Sequence, residues 1–198
     1  MSELILASGS QWRRQLLQSV GIRCRAEASG VEEDHGASAD PTALATLLSE
    51  QKATAVAARN PGAWVLGADQ VAYDPEAPED HFGKPRDPAD HLARLKAMRG
   101  RPHVLVTGWT LLGPGLRRQG SVKTTLHVRA DLEDVELQAY VDSGEGSGCA
   151  AGYMAEAQGA FLFERIDGDW FNVLGLPLHD IWSVLRAEGW RFGPQESR

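Results

Sequence analysis

One carboxylate and a few cations carry the chemistry that can be read in this sequence. Gly67-Ala68-Asp69-Gln70-Val71 closes the apolar run Trp64-Val65-Leu66, so a buried strand delivers Asp69 to a glycine-flanked position. A carboxylate placed there is costly unless it binds a metal, pairs with a cation or takes up a proton in a reaction. Upstream, Ser8-Gly9-Ser10-Gln11-Trp12-Arg13-Arg14 follows a short apolar segment and opens a helix. A strand, a Gly/Ser turn and a helix N-terminus aim unpaired N–H groups and the positive end of the helix at one spot, which suits phosphate. Arg13 and Arg14 add forked donors that match phosphate oxygens, and Ser8 stands in the turn beside them. Downstream, His81-Phe82-Gly83-Lys84-Pro85 brings the chain back, with glycine for close backbone approach and Lys84 as a point charge. Lys52, one of only four lysines, falls inside a helical pattern, where a lysine is ordinarily exposed.

An alternation of strands and helices must position these groups. Residues 4–7 read as a buried strand, with Ser8 or Ser10 as N-cap of a helix over 11–20 whose Leu16, Leu17 and Val20 share a face. A short strand over 22–26 leads to an acidic loop at 29–40 containing Glu32-Glu33-Asp34. Pro41 opens a helix to residue 59, Asn60-Pro61-Gly62 ends it, and the central strand begins at Ala63. The Pro- and acid-rich stretch 74–80 reads as a loop, and Asp87-Pro88 opens a helix over 89–99. Residues 103–112 and 120–129 form a long hairpin about Gly113-Pro114-Gly115. A helix at 134–141, a Gly/Ser loop at 143–148, a strand at 161–166 and a final helix at 178–186 complete the chain. No repeat or linker divides it, so one domain over 1–198 is expected.

Composition narrows the class. Of the 198 residues, 42% are hydrophobic and 24% charged, as in ordinary soluble globular proteins. The formal net charge of -7 argues against nucleic-acid binding but permits a small anionic ligand held by local cations. Cys24 and Cys149 are far apart without metal-ligand spacing and read as free thiols of a reducing compartment. No signal peptide or membrane-length apolar run is present, so no membrane partner and a cytoplasmic location are expected.

Taken together and in order, these motifs resemble the Maf-like nucleotide pyrophosphatases. Leu4-Ile5-Leu6-Ala7-Ser8, Arg13-Arg14, Lys52, Gly67-Ala68-Asp69, Gly83-Lys84-Pro85, His103 with Thr107-Gly108, Tyr140-Val141, Gly144-Glu145, Gly168-Asp169, Asn172-Val173 and Gly175-Leu176-Pro177-Leu178 carry the resemblance. It implies an elongated α/β fold related to the inosine-triphosphate pyrophosphatases: a mixed sheet flanked by helices, with two lobes and a central cleft. It also implies cleavage of a nucleoside triphosphate to the monophosphate and pyrophosphate, and a homodimer. On this resemblance Asp69 is the proton acceptor or a metal ligand, Glu33 a second metal ligand, and Ser8, Arg13, Arg14, Lys52 and Lys84 hold the phosphates. Hard oxygen ligands and phosphate suit Mg²⁺ or Mn²⁺.

Within the family, Trp12, Gln70 and the segment Leu162-Phe163-Glu164-Arg165 resemble the 7-methyl-GTP branch, whose third specificity position falls on Glu156. Methylation at N7 puts positive charge on guanine, and a cationic ring is attracted to an indole face and to a carboxylate. Trp12 would stack on the base, Glu156 would accept from its N1–H and amino edge, and Gln70 would read another edge. Gln158-Gly159 resembles the pyrimidine branch and competes with Glu156 for that role. The alternatives are a dTTP/UTP pyrophosphatase and a nucleotide-binding regulator of septum formation.

Overall fold

The computed structural model describes residues 3–191. Short β1 (Leu4–Leu6) and β2 (Cys24–Ala26) run parallel, joined through α1 (Gln11–Ser19). β1 also lies parallel to the long β3 (Trp64–Asp74), which is reached through α2 (Pro41–Arg59). A hairpin of β5 (Pro102–Gly113) and β6 (Leu116–Val128) adds antiparallel to β3, and β7 (Phe163–Asp167) pairs with β6. Between β3 and β5 come β4 (Ala77–Phe82) and α3 (Pro88–Met98), and after β6 comes α4 (Asp134–Asp142). The one-turn α5 (Trp170–Val173) and α6 (Leu178–Ala187) follow β7. The sheet order is β2-β1-β3-β5-β6-β7, with β4 attached to β3.

β3 and β5 organise everything else, because their alternating side chains meet different layers on the two faces. On one face Leu66, Ala68, Trp109 and Leu111 pack under α1 and α6, with Leu16, Leu17, Ile181 and Leu185. Further along that face Ala72, Leu105 and Leu126 meet Leu95 and Met98 of α3 and Leu137 and Tyr140 of α4. These two cores are the expected lobes. The seam between them is polar: Gln70 and Thr107, opposite each other in the β3/β5 register, fall there. The other face is covered by α2, whose Leu44, Ala45 and Leu48 pack on Val71, Tyr73, Val104 and Val106. Asp40 caps this helix by accepting from the Thr42 N–H at 2.8 Å, and Pro41 stands in its first turn.

Glycine sets how near α2 approaches. A Cβ on Gly67 would stand 2.2 Å from the Ser49 carbonyl oxygen, and one on Gly108 would stand 2.4 Å from the Ala45 carbonyl carbon. With no side chain at either site, helix backbone lies directly on the sheet.

Three expectations need correction. The stretch 74–80 is not wholly a loop, because Ala77–Phe82 pairs antiparallel with the end of β3. Its proline and acids are compatible with an edge strand exposed on its free side, and pairing with β3 outweighs local composition. The last strand begins at Phe163, since residues 158–162 form a 3-10 turn. The turn after it holds an unanticipated helix, α5, capped by Asp169 accepting from the N–H of Phe171 at 2.8 Å.

Candidate active site

A gap in the sheet places the site. One edge of β3 is paired with β5 from Val65 to Tyr73. The other edge pairs with β1 only at Trp64, Val65 and Leu66, and with β4 only from Ala72 onward. Between these limits, residues 67–71 have no strand partner on that side. The loop after β1 carries Ser8 to one end of the gap, and the loop after β4 carries Lys84 from the other. Asp69 and Gln70, as neighbours on a strand, point to opposite faces of the sheet. Both flank the same open edge, so one ligand lying along it reaches both.

Asp69 lies on the α2 face, 6% exposed. Lys52 Nζ donates to its Oδ1 at 2.5 Å and stands 2.9 Å from Glu33 Oε1, so one ammonium bridges two carboxylates. The Lys52 side chain is itself buried, against the usual placement of a helical lysine. Its helix is held to the sheet by Gly67 and by the Ser49–Thr110 hydroxyl pair at 2.9 Å, and Lys52 lies one turn beyond Ser49. The second oxygen of Asp69, Oδ2, is buried and has no hydrogen-bond partner. A buried carboxylate oxygen without a donor is uncommon in folded proteins, and it has an acceptor site to offer a water or a ligand.

Arg13 closes the cluster from α1. Its Nη1 donates to the Ala68 carbonyl oxygen at 2.8 Å, on the open edge of β3, and its Nε to the Gly175 carbonyl oxygen at 3.0 Å. Burial pulls its pKa below the ordinary value, while Asp69 and Glu33 oppose that shift. Thus Arg13 is pinned to backbone and acts here as a fixed positive charge. Ser10, and not Ser8, caps α1, accepting from the Arg13 N–H at 3.4 Å. Ser8 is buried behind β1, and its Oγ accepts from the Ser10 N–H at 3.1 Å.

The remaining expected residues divide. Arg14 lies outside this cluster: it is exposed on α1 and its charge acts on Cys24 of β2, because successive helical residues diverge by a quarter-turn or more. Lys84 and Glu156 are exposed on the opposite wall, where both act on the Cys149 thiol; burial, then Glu156, pushes that thiol up, and Lys84 opposes them. Trp12 is 43% exposed beside Arg13, leaving indole surface uncovered. Gln70 Nε2 donates to Thr107 Oγ1 at 3.0 Å and to the Asn172 carbonyl oxygen at 2.7 Å. Among the described residues no hydrogen bond or ion pair joins Glu156 to Trp12 or Gln70.

Two supporting residues had no role assigned from the sequence. Asn172, fully buried, donates to the Leu105 carbonyl oxygen at 3.1 Å and to Thr124 Oγ1 at 2.9 Å, fixing the turn that receives Gln70. Glu145 accepts from the Tyr140 hydroxyl at 3.0 Å and from the N–H groups of Gln158 at 3.2 Å and Gly159 at 2.8 Å, so it holds the loop that carries Glu156. An asparagine in an apolar stretch and a lone acid in a Gly/Ser loop were the available signals.

The donor set fits a hard divalent cation only in part. Asp69 with its free Oδ2 and Glu33 supply two carboxylates, and among the described residues no group of three or more His, Cys, Asp or Glu side chains could hold a metal. Two carboxylates are the protein share that Mg²⁺ or Mn²⁺ commonly takes, the remaining positions being filled by phosphate oxygens and water.

A mixed α/β sheet with a buried carboxylate–lysine pair at its open edge, and an arginine of α1 beside it, defines the class of fold and site. Residues 3–188 match the profile of the family described as "Maf-like protein", and the chain belongs to that family. It is 39% identical over 188 residues to a dTTP/UTP pyrophosphatase of Thermus thermophilus, covering 95% of this chain and 96% of the relative. It is 38% identical over 191 residues to a 7-methyl-GTP pyrophosphatase of Xanthomonas oryzae pv. oryzae, covering 96% and 98%. A nucleoside triphosphate pyrophosphatase of Synechococcus sp. is 40% identical over 183 residues, covering 88% and 94%. Among solved structures, the Ham1 protein of Staphylococcus aureus shares the fold with a TM-score of 0.53 at 13% identity, over 94% of this chain and 99% of that one. Among the described residues no helix is long and apolar enough to cross a membrane.

Proposed function

We propose that this protein hydrolyses 7-methyl-GTP to 7-methyl-GMP and pyrophosphate. The broader class, nucleoside triphosphate pyrophosphatase, is common to relatives of all three names. The observation that carries the mechanism is Asp69, buried beside Lys52 with one unpartnered oxygen, at the unpaired edge of β3. A water held at Asp69 Oδ2 passes its proton to that oxygen as the water oxygen bonds to the α-phosphorus. The bond from that phosphorus to the bridging oxygen breaks, and pyrophosphate departs with the electron pair. Lys52 and Arg13 offset charge on the phosphates from one side of the gap, and Lys84 does so from the other. Asp69 and Glu33 would hold Mg²⁺ or Mn²⁺, which when bound neutralises phosphate charge and makes the attacking water more acidic.

Three observations support the methylated purine as substrate. The Trp12 indole is exposed beside the Arg13 end of the gap, where a cationic ring can stack. Gln70 spends its amide N–H groups on Thr107 and Asn172, which orients its carbonyl oxygen as the group left for a ligand. Glu156 shares the Lys84 wall, whereas Gln158 lines a groove with Tyr140, Phe161 and Phe163, which favours Glu156 as the base-reading side chain. The dTTP/UTP reading retains the support of relatives of that name at 39% and 37% identity.

Pyrophosphate release with Mg²⁺ across 7-methyl-GTP, GTP, UTP and dTTP separates the two. We expect a preference for 7-methyl-GTP that Trp12→Ala lowers selectively, by about tenfold or more given the size of a cation–π contact in a desolvated site. A preference for UTP and dTTP, unchanged in Trp12→Ala, would keep Asp69 but remove the specificity trio.

A further inference from the structure

We infer that Lys52 is the resident counter-ion of the Asp69–Glu33 pair, and that it keeps a divalent cation out of the free protein until a polyphosphate draws the ammonium away. The inference rests on the proposed nucleotide reaction and adds an order of events to it. Lys52 Nζ lies 2.5 Å from Asp69 Oδ1 and 2.9 Å from Glu33 Oε1, so it already bridges the two carboxylates a metal would need. The side chains of Lys52 and Asp69 are each 8% exposed, and solvent screens their contact little. The second cation, Arg13, cannot exchange in the same way, because its Nη1 and Nε are committed to the backbone oxygens of Ala68 and Gly175. Among the described residues the Lys52 ammonium bonds to the two acids alone. Its helix is fixed against Gly67, yet its four-carbon stem lets the ammonium swing without moving backbone.

Charge decides the order. Asp69 and Glu33 bring two negative charges, and Lys52 and Arg13 bring two positive ones, so the cluster is neutral as it stands. A divalent cation entering alone would leave it with a double positive excess beside the buried Lys52–Asp69 pair, where repulsion is stronger than at the exposed Glu33. A polyphosphate entering with that cation removes the excess and offers Lys52 new acceptors. The exchange frees Oδ1, and the unpartnered Oδ2 of Asp69 stays available as the proton acceptor throughout.

The test is Mn²⁺ binding, followed by the electron paramagnetic resonance of free Mn²⁺, with and without inorganic pyrophosphate. We expect weak binding to the unliganded protein, at least tenfold tighter binding to Lys52→Met, and a tightening by pyrophosphate that is large in the unaltered protein and small in the variant. Asp69→Asn should abolish binding in both conditions. Equal Mn²⁺ affinity of the unaltered protein and Lys52→Met without pyrophosphate would overturn the inference and leave the proposed hydrolysis standing. Absence of Mn²⁺ binding even with pyrophosphate would overturn both. Should Lys52→Met fail to fold, Lys52→Gln replaces it. The unaltered protein also decides alone: no gain in Mn²⁺ affinity on adding pyrophosphate overturns the inference.

Discussion

The two oxygens of Asp69 differ: one is engaged and the other is not. Lys52 holds Oδ1, and Oδ2 has no donor among the described residues. Asp69→Asn keeps the shape but removes the proton acceptor, so turnover should fall by about 10²–10⁴-fold. A thermal melt should show the variant still folded, and unchanged turnover would refute the role. A second residue-scale prediction concerns His103. It is 1% exposed among Phe82, Tyr153 and Phe163, with Nε2 at 2.5 Å from the Tyr153 hydroxyl and Nδ1 unpartnered. Burial lowers its pKa to about 4, from 6.5 for the free side chain. Between those values the unfolded chain binds a proton that the folded one does not. Stability is therefore fullest above about pH 6.5 and falls as the pH drops toward 4, by up to about 3 kcal/mol. Urea unfolding at pH 7.5 and pH 5 should reveal this loss, and His103→Gln, which keeps an acceptor for Tyr153, should flatten it.

At the scale of elements, the site depends on how closely α2 lies on β3 and β5. Gly108→Ala would drive a methyl group to within 2.4 Å of the Ala45 carbonyl carbon, so the helix must lift. The expected cost is about 1–3 kcal/mol by denaturant unfolding. Turnover should fall beyond what stability explains, since Lys52 rides on the same helix; a drop in stability with kcat intact would separate the helix from the chemistry. The turn 169–175 is the second element that matters, because Gln70 rests on the Asn172 carbonyl and Arg13 on that of Gly175. Asp169→Ala removes the cap of α5, at a cost of about 1 kcal/mol. Its signature should be a changed preference among nucleotides, with Gln70 less firmly oriented.

Over the whole molecule, the two cores are joined by their strands. β3, β5 and β6 each run through both, so neither core can open without breaking ladders that the other uses. Unfolding is expected as a single transition, with far-ultraviolet circular dichroism and tryptophan fluorescence coincident. Trp109 and Trp190 report the core under α1 and α6, and two separated transitions would mean that the lobes fold independently. The net charge of -7 is not uniform, because Arg13 and Lys52 balance Asp69 and Glu33 at the gap, so the proposed polyanion would be bound by arrangement and not by overall charge.

What the sequence determined by itself is local. The apolar run before Asp69 specified a buried strand, the Ser8-Gly9-Ser10 turn and Pro41 marked helix starts, and the turn at Gly113-Pro114-Gly115 specified the hairpin. Each follows from side-chain periodicity and capping, which act over a few residues. The ordered motifs also sufficed to identify the family. Only the tertiary structure decided that Lys52 is buried, that Arg14 lies near Cys24 and that Lys84 lies near Cys149. The same holds for Ala77–Phe82 as a strand, whose partner lies across a turn that composition does not register. Strand parity separates Asp69 from Gln70, and the sequence states it. Their common open edge exists because β1 leaves β3 after Leu66 and β4 joins only at Ala72, and where two strands meet a third is set by packing between distant parts of the chain.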